Sequence, residues 1–281
     1  MAGTAALRFY STNHGVAEVD LATALLQGLA GDRGLFMPRP RPMLADGLLA
    51  RAAGLDYPSL ACEVLAPYTR GVFKEHELAE ICTQAYNFEV PVEAAGERRH
   101  VLRLDRGPTA SFKDFAARFM ARALGRLVQA RGERLLVLVA TSGDTGSAIA
   151  DAFGGVAGIE VVVLYPREEV SDRQRRQMTT LGGNVRTLSL RAKFDDCQAL
   201  VKRAFADPEL AGLPLSSANS INIGRLLPQS VYYVWAASRV ADVAAGEPVI
   251  FAVPSGNFGD LMGGMLAFHG GLPVARFVVA T

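Results

Sequence analysis

The amino-acid sequence predicts an α/β protein with doubly wound, mainly parallel sheets. Apolar strands alternate with helices from about residue 100 to the end of the chain, a pattern typical of βαβ crossovers with helices on both sheet faces. Two runs, Arg134–Ala140 and Glu160–Tyr165, are almost wholly apolar, as expected of buried strands. Half of the 281 residues are hydrophobic, which is enough to build a sizeable core.

Residues 1–95 differ from the remainder and predict a mainly helical N-terminal domain. Val19–Ala30 is an apolar helix that a glycine-containing turn ends. The prolines of Met37–Pro42 exclude a helix interior there, so we expect a loop. Further helices are expected at Leu48–Ala53, Ser59–Ala66 and Glu75–Tyr86.

The second predicted domain, residues 96–281, is an α/β core that includes a smaller mobile subdomain at about 115–225. Apolar runs predict its strands, and amphipathic spacing predicts its helices. The turn-rich stretch Asp207–Asn222 interrupts the alternation. The expected strands are His100–Leu104, Arg134–Ala140, Glu160–Tyr165, Asn184–Leu190, Pro248–Val253 and Val274–Ala280. The expected helices are Phe112–Arg131, Thr145–Phe153, Asp172–Leu181, Phe194–Ala206, Ile223–Val240 and Phe258–His269.

Charge and cysteine content exclude several classes of protein. With 29 basic and 28 acidic residues, the chain has no strong field for nucleic acid or an anionic membrane. It has no apolar run of about 18 residues. Its three cysteines are far apart and lack CxxC spacing, which argues against a disulfide framework or a zinc site. We therefore expect no metal and a reducing, cytoplasmic location.

Only four lysines are available for chemistry that needs a deprotonatable amine, and Lys113 stands out among them. It lies at the expected first turn of a helix, where the positive end of the helix dipole disfavours a cation. That position would lower the pKa of the amine, and flanking Phe112 and Phe115 could add desolvation. The alternative is a lysine whose amine simply extends to solvent.

Two loops follow apolar strands, at the sheet edge where open α/β proteins bind ligands. Thr141–Gly146 combines hydroxyls, a glycine turn and a helix start, a combination suited to an anion. Pro254–Asp260 contains two glycines, so that its backbone N–H groups could approach a phosphate closely. Each loop could alternatively be a plain turn.

A further polar stretch, Ser216–Asn222, precedes Arg225. Asn219, Asn222 and Arg225 together could hold a second anion. Asn222 could alternatively be only the N-cap of the following helix, a role that needs no ligand.

Together, these features predict a pyridoxal phosphate site. Lys113 would supply the Schiff base, and the glycine loop at 254–260 would hold the cofactor phosphate. The hydroxyl loop at 141–146 would hold the carboxylate of an amino acid.

Five motifs, in order, resemble the threonine synthase family, whose members are fold-type II pyridoxal phosphate enzymes with a fold like that of the tryptophan synthase β chain. The match extends along essentially the whole chain. The motifs are Tyr10–Thr12 with Gly28–Pro38, Gly107–Phe115, Thr141–Gly146, Asn219–Asn222 with Arg225, and Val253–Asp260.

The resemblance implies that O-phosphohomoserine and water become threonine and phosphate, by β,γ-elimination followed by addition of water at Cβ. Lys113 would be the catalytic residue, carrying pyridoxal 5′-phosphate and moving protons. The cofactor phosphate would bind Ser255, Gly256, Asn257, Phe258 and Gly259. The substrate would contact Thr109, Ser111, Thr141, Ser142, Gly143, Asp144, Thr145, Asn219, Asn222 and Arg225. The enzyme would be a monomer or homodimer.

Two departures from the family pattern concern the site. Asp144 stands where related β-replacement enzymes often have Asn, and a carboxylate there would repel the cofactor phenolate unless one of the two groups is protonated. Family members also continue past the equivalent of Thr281. We therefore expect this chain to lack the C-terminal part, which would include the group facing the pyridine nitrogen.

Three other functions stay open at this stage. A phospho-lyase acting on the same substrate would release a 2-oxo acid with identical site residues. A truncated chain could bind ligand without turnover, which the abrupt C-terminus motivates. A nucleotide-binding Rossmann protein is disfavoured, because neither GxGxxG nor GxxxxGK[ST] occurs.

Overall fold

The computed structural model describes residues 7–281, which contain eleven α-helices and ten β-strands. The strands are β1 Arg8–Ser11, β2 Phe36–Arg39, β3 Val92–Ala94, β4 His100–Leu102, β5 Leu135–Ala140, β6 Ile159–Pro166, β7 Val185–Leu190, β8 Leu215–Ser217, β9 Val249–Pro254 and β10 Val274–Ala280. The helices are α1 Leu21–Gln27, α2 Leu48–Arg51, α3 Tyr57–Thr69, α4 Glu75–Ala85, α5 Lys113–Arg131, α6 Asp144–Phe153, α7 Asp172–Thr179, α8 Phe194–Ala206, α9 Ile223–Leu226, α10 Gln229–Val240 and α11 Gly259–His269.

A four-stranded parallel sheet has the order β7-β6-β5-β8. Alternate residues of β5 face opposite sides of it. Val137 and Val139 belong to the main apolar core, whereas Ala140 packs with Cys197 and Val201 of α8. Helix α6 contacts β6, and α8 contacts both β5 and β6. Helices thus cover both faces, and the predicted doubly wound α/β fold is confirmed.

A second, two-stranded parallel sheet pairs β9 with β10. Aromatic rings attach it to α10, since the Tyr233 ring lies 4.8 Å from that of Phe251 and 6.1 Å from that of Phe277, both in edge-to-face geometry. The loop after β9 leads directly into α11. This connection brings Pro254–Asp260 to a helix start, as the sequence predicts.

The N-terminal part contains an antiparallel pair of strands in addition to helices α1–α4. Strand β2 overlaps the first half of the stretch expected to be a loop, and its Pro38 pairs with Phe9 of β1. β2 accommodates proline because it is an edge strand of this pair, and an N–H is not required on its outer edge.

Two further expectations are wrong. His100–Leu104 does not join the parallel sheet, because β4 pairs antiparallel with β3 through a connection too short for a parallel crossover. The single helix expected at Ile223–Val240 is two helices, α9 and α10. Pro228 separates them, since it lacks an N–H and its ring clashes with a preceding carbonyl.

None of the helices within residues 7–281 combines the length and the apolar character needed to cross a membrane.

Candidate active site

A cleft of about 370 Å³ lies where the N-termini of three helices converge. Helix α5 begins at Lys113, α6 at Asp144 and α11 at Gly259, and all three residues line the cleft. The end of β5 and the segment after β8 complete it with Ala140 and Asn219. Because the N–H groups at helix starts carry partial positive charge, this cleft favours an anionic ligand.

The amine of Lys113 is largely withdrawn from solvent, since its side chain is 21% exposed. Its Nζ lies 4.5 Å from the centroid of the Phe112 ring and 3.5 Å from Oδ2 of Asp144. Burial lowers the pKa of Lys113, Asp144 opposes that shift and Arg225 adds to it. The lowered pKa increases the fraction of uncharged amine, which is the nucleophilic form.

The Thr141–Gly146 turn presents peptide donors to the cleft. Thr141 Oγ1 accepts hydrogen bonds from the N–H groups of Gly143 at 2.9 Å and Gly146 at 2.8 Å, so this hydroxyl shapes the turn. The N–H groups of Ser142 and Thr145 donate to no acceptor in the described part of the chain, and both residues line the cleft. The turn can therefore bind an anion through these unpaired donors.

Gln174 is a cleft residue that the sequence analysis missed. Its Nε2 donates to Oδ1 of Asp144 at 2.6 Å, while Oδ2 of the same carboxylate faces Lys113. The only sequence signal was the S-x-x-Q pattern of Ser171 and Gln174, which predicts a capping box and not a cleft position.

Thr109 and Ser111 do not line the cleft, and their contact with substrate stays a prediction. The N–H and hydroxyl of Thr109 donate to the Asp114 carboxylate at 2.9 and 2.5 Å. The hydroxyl of Ser111 accepts from the N–H of Lys113 at 3.3 Å. Burial raises the pKa of Asp114, and the bonds from Thr109 oppose that shift. Both hydroxyls therefore stabilise the turn that precedes Lys113.

Asn219 lines the cleft, but its amide is engaged with the backbone. Its Nδ2 donates to the carbonyl of Ala140 at 2.7 Å, and its Oδ1 accepts from the N–H of Ala140 at 3.2 Å. This pairing continues the contact between β5 and β8 beyond the end of β8. The predicted contact of Asn219 with a ligand stays a prediction.

Asn222 does not line the cleft, and its contact with substrate stays a prediction. It is fully buried, and its Nδ2 donates to the carbonyls of Leu25 and Ser217, both at 2.9 Å. Its Oδ1 accepts from the N–H of Gly224 at 2.8 Å, which makes it the N-cap of α9. The structure therefore shows the N-cap role that the sequence offered as the alternative for Asn222.

Arg225 is a buried cation in the cleft wall, only 4% exposed. Its Nη1 donates to the carbonyl of Ala218 at 2.6 Å, and its Nε has no partner within residues 7–281. No carboxylate of the described chain pairs with it. Burial lowers the pKa of Arg225 to about 10. A buried guanidinium without a counter-ion is costly, and an anion in the cleft would relieve that cost.

The loop after β9 offers the other set of unpaired donors. The hydroxyl of Ser255 is buried without a partner among the described residues. The N–H groups of Gly256, Asn257 and Phe258 likewise donate to no described acceptor. A Cβ at Gly256 would meet no atom within 4 Å, so the space beside the loop is open. Asn257 and Gly259 line the cleft, whereas Ser255, Gly256 and Phe258 do not, and Phe258 faces solvent with 57% exposure.

The cleft contains further polar side chains that the sequence does not predict there. Gln198 and Lys202 lie on α8, four residues apart and hence on one helix face, and both line the cleft. Asp260, in the first turn of α11, accepts from the hydroxyls of Tyr232 and Tyr233, each at 2.7 Å. Among the described residues, no group of three or more His, Cys, Asp or Glu side chains could hold a metal ion.

The fold and this lysine-centred cleft are those of a pyridoxal phosphate enzyme, and comparisons with known proteins agree. Residues 81–281 match the family described as "Pyridoxal-phosphate dependent enzyme", and the chain belongs to that family. Residues 8–86 match "Threonine synthase N terminus". The predicted resemblance to threonine synthases is thereby confirmed.

Three similar proteins are each longer than this chain. The threonine synthase of Haemophilus influenzae is 42% identical over 277 residues, which cover 98% of this chain and 64% of the relative. A solved structure of PLP-bound threonine synthase from Brucella melitensis has a TM-score of 0.90 at 39% identity and covers 98% of this chain and 60% of that one. The Escherichia coli threonine synthase structure has a TM-score of 0.88 at 40% identity, with 96% and 63% coverage. The chain thus spans under two thirds of these relatives.

Proposed function

We propose that the cleft binds pyridoxal 5′-phosphate and that the protein converts O-phosphohomoserine and water to threonine and phosphate. One observation carries this proposal. The shielded amine of Lys113 lies 3.5 Å from Asp144, in a cleft that also receives unpaired N–H donors from two loops and the buried guanidinium of Arg225. Such a cleft suits an amino acid with two anionic groups together with a phosphorylated aldehyde.

The residues present fit the cofactor. Ser255 has a buried hydroxyl without a partner, and the adjacent N–H groups of Gly256, Asn257 and Phe258 are unpaired. These donors and the start of α11 would hold the cofactor phosphate. Lys113 would hold the cofactor's aldehyde carbon through its uncharged amine.

When bound, the cofactor supplies an electron-withdrawing ring that stabilises negative charge at Cα of an attached amino acid. Lys113 can take a proton from Cα and return one, because its lowered pKa makes the amine an effective base. Asp144 orients the amine and stabilises it when it carries the extra proton. The carboxylate thus has a cationic partner, which would offset the expected repulsion from the cofactor phenolate.

The two anionic groups of the substrate have separate donors. Ser142 and Thr145, with unpaired N–H groups and hydroxyls, would bind the carboxylate. Arg225 would bind the phosphate that leaves, with Lys202 contributing charge from α8. Separate binding fixes Cα near Lys113 while the γ-phosphate lies near a cation that stabilises its departure.

Other features of the molecule stay predictions. These are the division at residues 95/96, the mobile subdomain at about 115–225, the monomeric or dimeric state and the cytoplasmic location. The spread of cleft residues over α5, α6, α8 and α11 supports the idea that motion of 115–225 against the rest opens the cleft.

Product analysis tests the proposed function. The purified chain, supplied with pyridoxal phosphate and O-phosphohomoserine, should release threonine and phosphate in equal amounts, and Lys113→Ala should release neither. Phosphate with a 2-oxo acid and ammonia would identify a phospho-lyase instead. Bound cofactor without any product would identify a chain that binds ligand without turnover.

A further inference from the structure

We propose that Gln174 is a positioning residue, which holds the Asp144 carboxylate against the amine of Lys113. The inference rests on the proposed function only in taking Lys113 as the reactive amine. In this proposal, the neutral side chain of Gln174 on α7 controls the ion pair between Lys113 and Asp144, which are the first residues of α5 and α6.

The Asp144 carboxylate has two partners within the described chain. Gln174 Nε2 donates to its Oδ1 at 2.6 Å, and Lys113 Nζ donates to its Oδ2 at 3.5 Å. The carboxylate is 54% exposed, so solvent competes for it and several rotamers are open to it. The shorter bond, from Gln174, selects the rotamer in which Oδ2 faces the amine.

Gln174 is itself held in place from two sides. Its Oε1 accepts from the hydroxyl of Ser171 at 2.8 Å and from the N–H of Ser171 at 3.2 Å, which completes a capping box at the start of α7. Its amide also lies against Gly143, where a Cβ would collide with it. An amide fixed in this way can orient a carboxylate without competing with Lys113 for the charge.

Charged groups from several elements surround Lys113. They are Asp144 on α6, Asp114 on α5, Arg225 on α9 and, on the walls of the same cleft, Lys202 on α8 and Asp260 on α11. Asp144 is the one within ion-pair distance of the amine. A change at Gln174 that alters no charge should therefore act on Lys113 through Asp144.

The test measures the reactivity of Lys113 directly and needs no cofactor. The purified chain is treated with an amine-acylating reagent over a range of pH, and peptide mass spectrometry follows the modification of Lys113. Gln174→Met should raise the reactivity of Lys113 roughly two- to fivefold at pH values below the midpoint of its pH dependence, because the amine loses its acidic partner. Reactivity at high pH should not change. Gln177→Met, a matched change one turn along α7 outside the cleft, should have no effect.

The double-mutant cycle identifies the route. Asp144→Asn should raise the reactivity of Lys113 at least as much as Gln174→Met does. The combined variant should be no more reactive than Asp144→Asn alone. The proposal would be overturned if the effects of the two substitutions on Lys113 reactivity were additive, or if the midpoint of its pH dependence did not change. It would also be overturned by an equal increase in reactivity at every pH, which would mean only a wider cleft. Gln174→Ala provides a second variant if Gln174→Met fails to fold. Failure of the proposed function would look different, since the unaltered chain would then not capture pyridoxal phosphate.

Discussion

The Nζ of Lys113 and the Oδ2 of Asp144 lie 3.5 Å apart, and each belongs to the first residue of its helix. A helix start favours the carboxylate and disfavours the ammonium. The pair therefore combines an acid in a favourable position with an amine in an unfavourable one. Such an amine releases its proton more readily than an ordinary lysine, yet stays oriented by its neighbour.

The stability of the protein should depend on pH through Lys113. Burial lowers the pKa of Lys113 below its ordinary value of 10.5, so between the two values the unfolded chain binds more protons than the folded chain. The free energy of unfolding contributed by this residue should therefore rise as pH rises through that window. Denaturation at a series of pH values should show a flatter profile for Lys113→Met than for the unaltered chain. Parallel profiles would contradict the lowered pKa.

Gly143→Ala should destabilise the protein more than Gly155→Ala. Both glycines have positive φ, 142° and 77°, so both substitutions strain the backbone. A Cβ at Gly155 meets no atom within 4 Å, whereas one at Gly143 collides with Gln174. We expect about 1 kcal/mol of lost stability at Gly155 and about 1–3 kcal/mol more at Gly143, measured by denaturant unfolding. Equal losses would mean that Gln174 moves aside freely.

Arg225→Met should weaken substrate binding without weakening the fold. The guanidinium is buried without a carboxylate, so its removal should leave the free energy of unfolding unchanged or higher. The affinity for O-phosphohomoserine should fall by about tenfold or more in a calorimetric titration. Arg122→Met is the matched control, since Arg122 also has an unpartnered Nε but does not line the cleft. Equal affinities in the two variants would remove Arg225 from the site.

Asn222→Ala should weaken the fold without weakening substrate binding, the opposite of Arg225→Met. Three hydrogen bonds of the fully buried amide are lost, so we expect a loss of about 2–4 kcal/mol in the free energy of unfolding. The affinity for substrate, measured where the variant is still folded, should not change. A stable variant with weakened binding would support the prediction that Asn222 contacts substrate.

Much of the fold was predictable because its signals are local. Strands β5 and β6 are apolar runs, and α8 has the predicted bounds Phe194–Ala206. Strand β8 was not predicted, because its three residues lie among turn formers and pair with β5 only in the folded chain. The pairing of β4 with β3 was likewise not predictable, since pairing depends on which strands meet in space.

The site was predictable where one short segment carries several functional groups. Lys113 and the two glycine-containing loops fall into this class. Gln174 does not, because it reaches the cleft only through the packing of α7 against α6. The sequence leaves the role of Asn222 open between a helix cap and a ligand contact. A buried amide that bonds to the backbone has the same sequence signature as one that binds a ligand.

The identity of the amine that captures the cofactor tests the central claim most directly. The chain is incubated with pyridoxal 5′-phosphate, reduced with borohydride, digested and analysed by mass spectrometry. We expect the cofactor on Lys113 and its loss in Lys113→Ala, with Lys202 unlabelled although it lines the same cleft. Cofactor attached to Lys202, or to no lysine, would contradict that claim.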